Sequence, residues 1–143
     1  MPRIDFVVPL FNEAAGLAGF HRMLAETSLP AGCTSQFIYV NDGSADRTQQ
    51  LLEELASADP RVRVIQLSRN FGHQAALSAG LDAATGDLVV TMDGDGQHPP
   101  SLIPEMLRLH DAGYDVVQAQ RLDDAESAGL FKRFTSRSFY RLI

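Results

Sequence analysis

The residues best suited to chemistry lie in one short stretch, Leu88–Pro100, with the sequence LVVTMDGDGQHPP. An apolar run leads directly into two carboxylates spaced i and i+2, Asp93 and Asp95, and Gln97 follows. Two carboxylates on a short, glycine-interrupted loop repel each other unless a cation lies between them. The stretch therefore predicts a strand buried on both faces, followed by a divalent-metal site for a phosphate-bearing ligand.

Strand-like and helix-like segments alternate along the chain, and these elements must position the acidic loop. Ser44 is expected to cap the second helix and Gly86 to end the third. Five strands joined by helix-length crossovers predict a three-layer α/β domain, with a mainly parallel sheet and helices on both faces. The strands are predicted at 4–9, 36–40, 62–67, 88–92 and 115–119, and the helices at 13–27, 44–58, 74–84 and 101–112.

Polar residues follow each of the five predicted strands at the point where the strand ends. The carboxyl ends of parallel strands meet at one edge of a sheet, where open α/β sheets bind their ligands. Five loops contributing polar groups to one edge indicate a binding site. The groups are Asn12-Glu13, Asp42-Gly43-Ser44, Ser68-Arg69-Asn70, Asp93–His98 and Arg121.

Three kinds of site compete for the Asp-Gly-Asp-Gly-Gln sequence. An EF-hand calcium loop needs Gly at its sixth position and Glu at its twelfth, where this chain has His98 and Pro104, so it is excluded. A phosphatase would use Asp93 as nucleophile and Asp95 as acid, but Gln97 replaces the usual Thr or Val, which leaves it a weak alternative. The third is a Mg²⁺ or Mn²⁺ site on a nucleotide diphosphate.

Other nucleotide-binding signals are weaker. No Gly-x-Gly-x-x-Gly follows the first strand, which disfavours the usual dinucleotide fold, and no Gly-Lys-Ser/Thr phosphate loop is present. Asp42 could accept hydrogen bonds from a ribose or base, but Asn-Asp-Gly-Ser is also ordinary turn chemistry. The polar loops that follow the neighbouring strands favour the binding role for Asp42.

Three histidines are expected to have structural roles. His73 is expected only to begin a helix near the site, His98 to order its loop, and His21 to lie on a helix surface.

Composition and charge narrow the possible partners. The net charge of −6 makes nucleic acid an unfavourable partner. Cys33 is the only cysteine, so an intrachain disulfide is excluded. No segment approaches the roughly 20 apolar residues of a membrane span, which predicts a soluble or peripheral chain.

The segment 129–143 differs from the rest because it holds four of the twelve basic residues and no acid. On a helix its apolar residues cover a broad arc, with the arginines gathered opposite. That pattern suits an interfacial helix on anionic lipid, or equally a packing helix whose partner lies elsewhere.

Several motifs together make the chain similar to a known family. It resembles the family 2 glycosyltransferases of the GT-A fold, a Rossmann-like nucleotide-binding sheet, and in particular their dolichol-phosphate mannose synthase and bactoprenol glucosyltransferase branch. The motifs run in family order over 4–121, and Gly96 stands where relatives often have Leu. They are Val8–Glu13, Val40–Thr48, Leu67–His73, Ala79-Gly80-Leu81, Ala84–Asp87 and Met92–Pro100.

The resemblance implies inverting transfer of a sugar from a UDP- or GDP-linked donor to a polyprenyl phosphate. The alternatives are a nucleotide-sugar-binding fragment without turnover and a glycosyltransferase with a non-lipid acceptor. It implies that Asp95 and Gln97 hold Mg²⁺ or Mn²⁺ on the diphosphate and that Asp93 approaches the ribose or metal. The nucleotide would also contact Pro9, Asn12, Glu13, Asp42 and Arg69, and Arg121 would contact phosphate, so Asp95 and Arg121 are the expected catalytic residues.

The resemblance also sets expectations for organisation and location. Residues 1–126 would form the catalytic domain and 127–143 a basic amphipathic helix at the cytoplasmic face of the membrane. Relatives continue beyond the equivalent of Ile143, so the chain is expected to be a shortened piece. Asp123, Asp124 and Glu126 are expected to form a solvated loop, and no general base is assigned.

Overall fold

The computed structural model of the chain describes residues 2–119. The elements are β1 Arg3–Leu10, α1 Leu17–Ala25, β2 Thr34–Asn41, α2 Thr48–Ala58, β3 Val62–Gln66, α3 His73–Ala83, β4 Leu88–Thr91 and α4 Ile103–Asp111, with a 3-10 turn at Pro100–Leu102 before α4. Within this part of the chain, four parallel strands form one sheet in the order β3-β2-β1-β4. The mainly parallel α/β fold predicted from the sequence is confirmed.

Apolar side chains on the two faces of the sheet form two separate cores. Successive strand residues point to opposite faces, so Phe6 and Val8 of β1 pack with α1, α2 and α4. Val7, between them, packs with Ile38 of β2 and Ala76 of α3 on the other face. The helices therefore lie on both faces, and the domain has three layers.

Helix α3 lies unusually close to the sheet because Gly80 faces it. A Cβ atom at Gly80 would lie 2.4 Å from Val7 Cγ1 and 3.0 Å from Val40 Cγ2. The absence of a side chain there lets the helix backbone approach the strands. This contact fixes α3, and with it the position of the helix N-terminus at the carboxyl edge of the sheet.

Pro9 ends the pairing between β1 and β4. The last register pair is Val7 with Thr91, and the Met92 N–H donates to the Val7 carbonyl at 3.2 Å. Alternate residues of β1 turn their backbone groups toward the same neighbouring strand, so Pro9, like Val7, faces β4. Proline has no N–H, however, and cannot continue the hydrogen-bond ladder. The chain therefore leaves the sheet after Met92, and the acidic loop begins.

The predicted strand at 115–119 is wrong, because these residues make no strand pairing. An apolar segment becomes a strand only where a neighbour supplies backbone partners. Here Val116, 85 % exposed, and Val117 line a groove of about 500 Å³ beside β4 instead of pairing with it. For the same reason β4 is an edge strand of the described sheet, and its predicted burial on both faces is wrong: Val89 is 42 % exposed.

Two predicted helix caps are also wrong, because the residues have tertiary partners instead. The Ser44 hydroxyl donates to Asn41 Oδ1 at 2.6 Å and accepts the Asn12 N–H at 2.9 Å, and α2 begins four residues later. The Gly86 N–H donates to the buried Asp5 carboxylate at 2.8 Å, away from the end of α3. Short polar residues and glycine occur in turns and in long-range contacts as well as at helix ends, so the residue type alone does not identify a cap.

His21 is buried, against the expectation that it lies on a helix surface. Its Nδ1 is 2.8 Å from the Tyr39 hydroxyl, and its ring meets Phe37 edge-on. Burial lowers the pKa of His21, and the nearby Asp59 carboxylate acts in the opposite direction. The histidine therefore belongs to the α1–β2 interface and not to the solvent-facing side of α1.

Candidate functional site

The loops that follow the four strands lie together at the carboxyl edge of the sheet, as predicted. Most of the predicted site residues are in these loops, but Pro9 is buried within β1. Arg121 and the segment 129–143 lie outside the described residues. The residues gathered at the edge are Asn12, Glu13, Asp42, Arg69, Asp93, Asp95 and Gln97.

Asn12 joins the loops that follow β1 and β2. Its side-chain oxygen accepts the Ala45 N–H at 2.8 Å and the Asp46 N–H at 3.3 Å. Its own N–H donates to the Ser44 hydroxyl, and its backbone adopts φ 53°. Asn tolerates this left-handed conformation better than most residues. Asn12 therefore shapes the edge through contacts within the protein.

Asp42 is buried and joins β2 to the segment before α3. One carboxylate oxygen accepts the Phe71 N–H at 2.8 Å and the other accepts the Gly72 N–H at 3.1 Å. The next residue, Gly43, has φ +67°, and a Cβ atom there would lie only 2.2 Å from the Arg69 carbonyl carbon. The two loops are thus in backbone contact, and Asp42 holds them together.

Aromatic rings and a cation are exposed at the same edge. Phe11 is 46 % exposed and Phe71 is 49 % exposed. The Arg69 guanidinium carbon lies 4.5 Å from the centroid of the Phe71 ring, a cation–π contact. This surface offers a planar apolar face and a positive charge to a ligand that carries both a ring and phosphate groups.

The acidic loop packs onto the end of β1 through Gly94. Gly94 is buried, and a Cβ atom there would lie 2.1 Å from Leu10 Cδ2. Beyond it, Asp95 Oδ1 accepts the Gln97 N–H at 2.9 Å, and Gly96 has φ +78° with open space around it. Glycine suits this left-handed position better than leucine does. The loop therefore has a fixed, packed start and an exposed turn that carries Asp95.

Two imidazoles lie beside the Asp93 carboxylate. His73 Nε2 is 3.4 Å from one carboxylate oxygen, and His98 Nδ1 is 3.8 Å from the other. The Asp93 N–H also donates to His98 Nδ1 at 3.2 Å. That nitrogen is therefore an acceptor, which places the proton of neutral His98 on Nε2. The distance of 3.8 Å between His98 Nδ1 and the Asp93 carboxylate is too long for a hydrogen bond.

The charges at the edge favour a cation. Burial raises the pKa of Glu13, and the negative charges of Asp95 and Asp46 raise it further. Glu13 and Asp95 therefore repel each other, and a cation bound at this edge would relieve that repulsion. The amide of Gln97 and the carboxylates of Asp93 and Asp95 are oxygen donors of the kind that Mg²⁺ or Mn²⁺ binds.

These donors do not form a complete metal cage by themselves. Among residues 2–119, no three His, Cys, Asp or Glu side chains are arranged to hold one ion. Mg²⁺ usually binds through one or two carboxylates and completes its shell with water and substrate phosphates. The residues present therefore fit a metal that binds together with a diphosphate.

Some residues that build the edge were missed by reasoning from the sequence. Thr48 accepts the Glu13 N–H at 3.0 Å, and Asn41 accepts both the N–H and the hydroxyl of Ser44. Asn41 and Ser44 belong to the Asn-Asp-Gly-Ser sequence, whose residue types already indicated a turn, and their hydrogen bond spans three residues. No local pattern indicated that His73 approaches Asp93, because these residues come together only through the packing of α3.

The parallel sheet flanked by helices, with its acidic loops at the carboxyl edge, has the GT-A fold, and solved structures share this fold. Staphylococcus aureus TarS (residues 1–349) aligns with a TM-score of 0.66 and 20 % identity over 87 % of this chain and 39 % of that one. The mannosyltransferase PcManGT from Pyrobaculum calidifontis, in complex with GDP-Man and Mn²⁺, aligns with a TM-score of 0.60 and 27 % identity over 66 % of this chain and 28 % of that one.

The chain belongs to the glycosyl transferase family 2, whose model matches residues 5–142. It is 42 % identical to the uncharacterized glycosyltransferase YkcC of Bacillus subtilis over 97 % of this chain and 43 % of that protein. It is 39 % identical to the prophage bactoprenol glucosyl transferase homolog of Escherichia coli over 98 % of this chain and 45 % of that protein. The chain thus spans less than half the length of these relatives.

Proposed function

We propose that the chain forms the nucleotide-sugar-binding part of an inverting, metal-assisted glycosyltransferase. Its donor is a UDP- or GDP-linked sugar and its acceptor is a polyprenyl phosphate. The observation that carries the proposal is the Asp93–Gln97 loop, which packs against Leu10 at Gly94 and exposes Asp95 at the carboxyl edge of the sheet. The bactoprenol glucosyl transferase homolog supports the lipid acceptor, and the GDP-Man and Mn²⁺ of PcManGT support the donor class and the metal.

Each acidic residue has a distinct role in this proposal. Asp95 and Gln97 hold Mg²⁺ or Mn²⁺, and Asp93 contacts the ribose or the metal. Asp42, Pro9, Asn12 and Glu13 form the nucleoside side of the pocket. When bound, the metal neutralises the charge of the nucleoside diphosphate that leaves. Arg69 and Arg121 add positive charge near the phosphates.

A phosphate acceptor explains why no general base is assigned. The second pKa of a phosphate monoester is about 6, so the acceptor oxygen is already anionic near neutral pH. Such a nucleophile needs positioning and charge screening more than proton removal. The basic segment 129–143 would bring the chain to anionic lipid at the cytoplasmic face of the membrane, where the acceptor is embedded. None of the helices in residues 2–119 has the length and apolar character needed to cross a bilayer.

Calorimetry with UDP and GDP, with and without Mn²⁺, tests the proposal. One nucleotide should bind at least about tenfold more tightly with the metal, a difference of about 1.4 kcal/mol. Asp95→Ala should remove this metal dependence, whereas Asp82→Ala, at an exposed acid on α3, should leave it unchanged. Equal affinities with and without metal would contradict the proposal. Transfer of the sugar to a short polyprenyl phosphate would then test turnover.

A further inference from the structure

His73 links the two acidic loops of the site. The residues just before it, Phe71 and Gly72, donate their N–H groups to Asp42 after β2. The His73 side chain reaches the other way, with Nε2 at 3.4 Å from the Asp93 carboxylate after β4. A span of three consecutive residues thus contacts the ends of two strands that are separated in the sheet by β1.

The position of His73 is set by contacts outside the site. The close approach of α3 at Gly80 fixes the helix against β1 and β2. Gly72, with φ +100°, turns the chain into the helix, so His73 is its first residue. A side chain whose backbone is held at both sides loses little freedom when it makes a contact, which makes the contact effective for pre-organisation.

His73 and His98 act on Asp93 in different ways. His98 Nδ1 accepts the Asp93 backbone N–H and so closes the loop between the two residues. His73 Nε2 lies 3.4 Å from the carboxylate, at ion-pair distance and longer than an ordinary hydrogen bond. The loop is therefore closed by one histidine, and its first carboxylate is oriented by the other.

On the basis of the proposed function, we propose that His73 is a positioning residue for nucleotide binding. It holds the Asp93 carboxylate in the orientation in which the ligand meets it, in register with the Asp42 loop. Asp93 is thus set before the nucleotide arrives, and the ordering cost of binding is reduced. His73 is not itself a metal ligand or a proton donor in the reaction.

A comparison of His73→Ala with His73→Gln tests this inference by calorimetry with UDP and GDP, in Mn²⁺ and in metal-free buffer. His73→Ala should weaken binding by about threefold to fivefold in both buffers, the effect expected of losing a half-exposed contact at ion-pair distance. His73→Gln, whose side-chain amide can still donate, should recover most of the affinity. In the Asp93→Asn variant, the further substitution His73→Ala should reduce nucleotide affinity much less than it does in the wild-type chain.

Thermal unfolding separates positioning from a general loss of structure. The His73 side chain is about half exposed, so both variants should melt within a few degrees of wild type. If the melting temperature of His73→Ala falls by more than a few degrees, the inference is tested by His73→Gln and the double-mutant cycle instead. Wild-type affinity in His73→Ala, or an equal loss in His73→Gln, would overturn the inference while the proposed function stands. Absence of any nucleotide binding by the wild-type chain would remove both.

Discussion

Two loops at the same edge of the sheet carry similar residues in very different surroundings. The β2 loop, residues 41–48, is built into the protein: Asp42 is 4 % exposed and both of its carboxylate oxygens accept backbone N–H groups. The β4 loop, residues 93–98, is packed at Gly94 and half-buried at Asp93, whereas Asp95 is exposed and accepts the N–H of Gln97 within the loop.

The difference shows that an acidic loop at a strand end can either stabilise the fold or form a binding site. A buried carboxylate satisfied by backbone donors contributes to stability and fixes a neighbouring segment. Carboxylates that repel one another, as Asp95 repels Glu13, cost stability and are typical of functional sites. We therefore expect changes in the β2 loop to affect stability first, and changes in the β4 loop to affect binding first.

The largest expected change in stability comes from substituting the glycines of the two loops. Gly43→Ala places a Cβ 2.2 Å from the Arg69 backbone at a positive φ, so it should lower the free energy of unfolding by about 3 kcal/mol. Gly96→Ala has a positive φ but open space, and should cost only about 1 kcal/mol. Urea unfolding measures both. Gly19→Ala, in an open helical position, should stabilise slightly, and equal costs at 43 and 96 would contradict the comparison.

A smaller effect is expected from Asp42→Asn. The new amide would turn a donor toward one of the two N–H groups that Asp42 accepts, so one hydrogen bond is lost in a buried position. We expect a loss of about 2 kcal/mol in the free energy of unfolding. Asp95→Asn and the exposed control Asp82→Asn should each change it by less than about 0.5 kcal/mol. A destabilisation by Asp95→Asn as large as that by Asp42→Asn would show that the two loops are not different in kind.

The smallest effect is a pH-dependent one at Glu13. Its pKa is raised by burial and by Asp95 and Asp46, so the ionised form is disfavoured in the folded chain. Stability from this group is present below its unfolded pKa of 4.5 and falls as the pH rises through the higher folded value. Glu13→Gln should therefore raise the unfolding free energy at pH 7 by less than about 1 kcal/mol, and this gain should disappear at pH 4. A gain that is equal at both pH values would argue against the repulsion.

The sequence predicted the layers, the parallel pairing and the shared edge of the loops because these depend on local signals. Apolar runs give the strands, and the crossover rule gives their direction. The family motifs predicted which loop residues gather there. The Asp93–Gln97 loop was located correctly for the same reason: it follows directly on the apolar run that forms β4.

What the sequence did not predict depends on contacts between distant residues. The segment 115–119 has the composition of a strand, but the pairing that would make it one is absent from the described part of the sheet. Ser44 has the residue type of a helix cap, but its hydroxyl is engaged by Asn41 and Asn12. The approach of His73 to Asp93 arises from the packing of α3, which no pattern of neighbouring residues encodes.

The most direct test of the account is to locate the metal by paramagnetic broadening of amide NMR signals. Mn²⁺ added to the full chain with UDP or GDP should broaden the signals of residues 93–98 and of Glu13 first. Asp95→Ala should remove this broadening, because Asp95 is the proposed metal ligand. Broadening centred on other acids, such as Glu105 and Asp111 of α4, or a pattern unchanged in Asp95→Ala, would contradict a metal–diphosphate site at the β4 loop.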